Sequence, residues 1–69
     1  MNDLGERIKH QRKHVLKISQ GELSNKTKIP QRTLSDWERG KSIPNVYNTE
    51  IIAEALETTL QFLVNGETA

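Results

Sequence analysis

Five polar side chains crowd one short run, QRTLSD (31–36): Gln31, Arg32, Thr33, Ser35 and Asp36. A carboxamide offers a donor and an acceptor side by side, and a guanidinium offers parallel N–H groups in a rigid fork. These shapes suit flat partners that present paired acceptors and donors along an edge. That is the chemistry of recognition. Turnover would need a nucleophile beside a base, a glycine-rich phosphate loop or a cluster of metal ligands, and the chain spells none of these. With no cysteine there is no disulfide and no Cys-type zinc site. His10 and His14 stand four apart, without an HExxH motif or a third ligand. They read as solvated helix histidines, so no metal and no cofactor is expected.

The charge pattern points to the partner of those forks. The net charge is only +1, but all ten Lys and Arg lie in residues 1–41 and leave that stretch at +5, while residues 42–69 hold four Glu and no base, at −4. Such a division suggests a basic face turned to a polyanion and an acidic end turned away. The opening MNDLGERIKH lacks the apolar segment of a secretory signal, and no apolar run approaches the roughly 18 residues of a membrane span. A soluble, cytoplasmic, nucleoid-associated protein is expected. The chain's 69 residues allow one domain at most.

Helix signals dominate, and no stretch alternates long enough to argue for a sheet. A first helix is expected over Leu4 to Leu16, capped by Asp3 with Glu6 three residues on, and burying Leu4, Ile8 and Val15. Ser19 with Glu22 forms a second capping box and opens a helix at Gln20, anchored by Leu23 and ending near Thr27 or Lys28. Pro30 then breaks the chain or takes a first-turn place. A third helix runs from Gln31 to about Arg39, with Leu34 and Trp37 inward and Gly40 stopping it. A fourth spans Tyr47 to Leu56. Thr58 with Gln61 opens a short fifth that ends at Asn65-Gly66. The expectation is an all-α compact bundle of five short helices.

Helix, tight turn and polar second helix make the outline of a helix-turn-helix reader. The wording of SQGELSNKTKIPQRTLSDWERGK goes further. Through Ser19, Gln20, Leu23, Ile29, Leu34, Ser35, Trp37, Glu38 and Gly40 it resembles the Cro and repressor family of bacterial and phage regulators. LGERIK (4–9) looks like that family's opening helix, and IIAEALETTLQFLVNG (51–66) like its last two; VYNTEIIAEAL is similar to lambda-type phage repressors. The resemblance covers nearly the whole chain, with the motif at about 19–39 and the last two helices at about 47–64. There are departures. Lys28 stands where the turn usually has glycine, Pro30 where a Ser or Thr cap is common, and Ser24 in place of alanine, while HVLKIS is one residue longer than the typical first connection. A non-glycine residue with φ > 0 is therefore expected at Lys28.

The resemblance implies a lambda-repressor-like DNA-binding domain and a transcriptional repressor on a palindromic double-stranded operator. Gln20 would bind a backbone phosphate and brace the first side chain of the reading helix. Gln31 and Arg32 would lie deepest in the major groove, where Gln pairs with adenine and Arg with guanine. Thr33 would touch a thymine methyl or a phosphate. Asp36, four residues after Arg32, either orients that guanidinium, accepts from a cytosine amine, or forms a plain surface pair. Ser35 and Trp37 read as packing residues. Glu38 pairs with Arg12 in the family pattern and so positions the reading helix. Arg39, Lys41 and Ser42 should meet phosphate, with Lys28 in the turn and Lys9, Lys13 and Lys17 near the first helix as further candidates.

One domain of this size covers a half-site, so a homodimer on DNA is implied, with Phe62 or Val64 at the contact unless these finish the monomer core. The competing reading is an antitoxin-type interaction module that regulates its own promoter, and no membrane partner is expected. The end after a helix stop fits a domain of a longer repressor and a complete small regulator alike.

Overall fold

The computed structural model describes residues 3–66. The order is α1 (Asp3–His10), a π-helical continuation (Gln11–Val15), α2 (Gln20–Thr27), α3 (Gln31–Glu38), α4 (Val46–Ala55) and α5 (Leu60–Asn65). All regular elements among the described residues are helical, as the absence of alternating runs implied. None is long and apolar enough to cross a membrane.

The first helix departs from expectation at its end. A regular α-helix would carry Val15 inward, one turn pair after Ile8. Instead the backbone widens after His10, and the Leu16 amide bonds five residues back, to the Gln11 carbonyl at 3.0 Å. Arg12, four residues after Ile8, keeps the core side, and the wider turn then brings Leu16 there and leaves Val15 53% exposed. Lys17 closes the connection at φ 57, with the Ile18 amide bonded to the Arg12 carbonyl at 3.0 Å. The cap expected of Asp3 rests on a side chain outside the described residues.

The start of α2 follows its sequence signal. Ser19 Oγ accepts from the Glu22 amide at 3.0 Å and Glu22 Oε1 accepts from the Ser19 amide at 2.9 Å, the reciprocal capping box. Lys28 ends the helix in the left-handed conformation at φ 63. The side chains around it tie the turn down. Ser24 Oγ donates to the Ile29 carbonyl at 2.6 Å, and Thr27 Oγ1 accepts from the Ile29 amide at 3.2 Å. The serine that replaces the usual alanine thus satisfies a carbonyl of the turn that lacks the usual glycine. Pro30 lies just outside α3 with extended ψ, so its ring obstructs no helical hydrogen bond. Gly40 follows α3 at φ 78, and the Lys41 amide reaches back to the Asp36 carbonyl at 2.9 Å.

Asn45 caps α4, accepting from the Asn48 amide at 2.8 Å, so that helix starts at Val46 rather than Tyr47. The cap of α5 is Thr59, which accepts from the Phe62 amide at 3.0 Å. Thr58 does not take that role, because its own amide still closes α4 on the Ala53 carbonyl at 2.9 Å.

Each helix contributes at least one fully buried aliphatic residue: Ile8, Leu23, Leu34, Ile52, Leu56 and Leu63, all 0% exposed. Trp37, Ile29 and Ala53 complete the core. Two side chains of the first helical stretch then bind the ends of the later helices. Arg7 donates through Nε to the Leu63 carbonyl (2.9 Å) and through Nη2 to the Val64 carbonyl (2.8 Å), and Gln11 Nε2 donates to the Leu56 carbonyl (3.2 Å). These are last-turn carbonyls, which a helix leaves without amide partners of its own.

Candidate nucleic-acid interface

The inner face of α3 is fixed by Leu34 and Trp37, both buried. Three residues apart, they aim in one direction and turn Arg32 outward; Gln31 follows the same spacing one turn nearer the start of the helix, beyond the core, and both Gln31 and Arg32 are exposed. Thr33, Ser35 and Asp36 are half-buried at the edges. The order of exposure along α3 is therefore the one a groove-entering helix needs.

Beneath α3 lies a buried polar junction. Arg12 Nε meets Glu38 Oε2 at 2.7 Å and Nη2 meets Oε1 at 3.0 Å, while Nη1 donates to the Ile18 carbonyl at 2.8 Å. Glu38 Oε1 accepts a second bond, from Gln20 Nε2 at 3.0 Å. Among the described residues every buried side-chain nitrogen and oxygen has a partner. A buried pair so satisfied adds little net stability against an apolar pair, but it holds the first helical stretch, α2 and α3 in one relation.

Two expected pairings are rearranged. Gln20 braces Glu38, not Gln31. The Gln31 carboxamide instead lies over the first turn of α2, so that a Cβ built on Gly21 would stand 3.7 Å from Gln31 Oε1. Asp36 accepts from Arg39 Nη2 at 3.4 Å rather than orienting Arg32. The cause is the order of the charges along the helix. An acid that precedes its base pairs better on a helix than one that follows it, and Asp36 precedes Arg39 but follows Arg32. Arg32 forms no ion pair among the described residues.

Arg39, Lys41 and Ser42, just past α3, and Lys28, in the turn, are all exposed. Phe62 and Val64 are separated by the fold. Phe62 packs half-buried against the core, while Val64 is 47% exposed and lines an apolar groove of about 380 Å³ with Leu4, Ile43, Pro44, Val46 and Leu60.

One supporting residue was missed in the sequence. A Cβ on Gly5 would overlap the Trp37 carbonyl oxygen and lie 3.0 Å from that of Glu38, so the backbone of α1 rests directly on the end of α3. A glycine inside a helical pattern was the available signal for such an approach.

Fold and site together define a helix-turn-helix protein of the Cro/repressor type. The helix-turn-helix family model matches residues 8–63, and the chain belongs to that family. It is 34% identical over 64 residues to repressor protein C2 of Salmonella phage P22, and equally so to the HTH-type transcriptional regulator DicA of Escherichia coli K12. Each match covers 93% of this chain but 29% and 47% of those relatives, so the chain spans less than half their length. A crystal structure of the P22 c2 repressor in complex with a synthetic operator superposes with a TM-score of 0.86 at 30% identity, covering 97% of this chain and all of that one.

Proposed function

We propose that this chain is a sequence-specific, non-enzymatic regulator of transcription, a repressor that reads double-stranded DNA through α3 in the major groove and works in the cytoplasm at the nucleoid. The observation that carries this reading is the placement of Gln31 and Arg32, exposed at the start of a helix that Leu34 and Trp37 pin to the core. Each can make a bidentate base contact worth about 1–3 kcal/mol of discrimination. Thr33 and Asp36 edge the same surface. Gln20, Lys28, Arg39, Lys41 and Ser42 supply phosphate contacts, which fix register without reading sequence. The operator-bound relative of similar fold supports the same docking.

One α3 covers one half-site, so two copies are needed for a palindrome. The apolar groove beside α5 is the face for the second copy. None of its lining side chains is charged, and Ile43 and Val46 stand 71% and 67% exposed there.

Selection of bound sequences from random duplex DNA at two salt concentrations tests the reading. A palindromic consensus with affinity falling steeply as salt rises is expected. Weak binding without a consensus overturns it and leaves the polar face of α3 to a protein partner, as in an antitoxin.

A further inference from the structure

Besides Arg12, its expected partner, Glu38 binds Gln20, a contact the sequence did not indicate. We propose that Glu38 is a positioning residue for the phosphate contact of Gln20, an inference that rests on the DNA-binding reading above. Gln20 is the first residue of α2 and is half-buried. Its amide is symmetric in shape but not in chemistry, since one end donates and the other accepts. A phosphate accepts only, so an amide turned the wrong way would face it with an oxygen. A carboxylate also accepts only. At 3.0 Å, Glu38 Oε1 therefore requires the Gln20 nitrogen to point inward. That leaves the second N–H of the same nitrogen as the donor for a phosphate lying over the start of α2. The first backbone amides of a helix, which have no intrahelical partners, point the same way.

The charge that does this is held where it does not repel DNA. Arg12 binds both oxygens of Glu38, at 2.7 and 3.0 Å, and both side chains are buried. The pair presents the carboxylate to Gln20 and little net charge to the groove. Arg12 is in turn fixed by the Ile18 carbonyl, the residue that leads into α2. One junction thus sets the amide orientation of a phosphate contact and the seat of the base-reading helix.

The test is a double-mutant cycle on binding to a mixed-sequence B-DNA duplex at low salt, where phosphate contacts dominate. Glu38→Gln keeps the shape but lets the side chain meet either end of the Gln20 amide. Its expected effect is about tenfold weaker binding when Gln20 is present, the scale of one charge-assisted hydrogen bond. In the Gln20→Leu background the same change should weaken binding by less than about twofold. Thermal unfolding of each variant checks the fold. If Glu38→Gln does not fold, Glu38→Asp, which keeps the charge and withdraws it by one methylene, takes its place in the cycle. Equal losses in both backgrounds, or no loss in either, overturn the positioning role. No salt-dependent binding by the unmodified chain overturns the DNA-binding reading itself, and the positioning role with it.

Discussion

Arg12 and Glu38 stand 26 residues apart in the chain and meet through two contacts, of 2.7 and 3.0 Å, in the interior. Arg12→Met leaves a buried carboxylate without its cation and is expected to cost about 3–5 kcal/mol of stability. Replacing both, as Arg12→Met with Glu38→Leu, should recover most of that loss in urea denaturation, because the burial penalty goes with the charges. DNA binding should not recover with it, since Gln20 then has no acceptor. Equal recovery of both would mean that the pair serves the fold alone.

Gly5 reverses a common rule. Glycine to alanine inside a helix usually stabilises by up to about 1 kcal/mol. Here the new methyl would meet the Trp37 and Glu38 carbonyls. Gly5→Ala is expected to destabilise by about 1–3 kcal/mol, as overpacking does. A lowered midpoint in thermal or urea unfolding checks it.

Asp36 is held by Arg39 and not by Arg32. Asp36→Asn should therefore free the Arg39 guanidinium, proposed above as a phosphate contact, and remove a repelling carboxylate. Duplex affinity is expected to rise by up to about fivefold, the range of an exposed pair, with the selected consensus unchanged. Relaxed preference at the base facing Arg32 would show instead that Asp36 orients it on DNA.

Val64 is half-exposed, so Val64→Asp should change monomer stability by no more than about 0.5 kcal/mol. In a symmetric contact it sets two carboxylates into an apolar face, which costs several kcal/mol. Sedimentation and two-half-site binding should show a monomer that still binds one half-site. Retained dimerisation would move the contact to another face.

Much of this arrangement was legible because its causes are local. Ser19 and Glu22 fix the start of α2 within four residues, and the inward pair Leu34 and Trp37 follows from helical spacing alone. Lys28 was placed at positive φ by its turn position. What was not legible depends on distance or on a choice between near-equals. The Gln20–Glu38 bond crosses 18 residues. Thr58 and Thr59 both meet the spacing of a cap, and only the closing bond of α4 decides between them. Asp36 lies within helical reach of Arg32 and Arg39 alike, so the choice between them showed only in the structure.

The π-helical stretch, Gln11–Val15, gives the long first connection a physical meaning. Each further residue of a regular α-helix turns the next side chain by about a hundred degrees. Here the widened turn falls short of that rotation, so that Val15 faces water and Leu16 returns to the core side. The widening falls after Arg12 and leaves its two contacts with Glu38 closed.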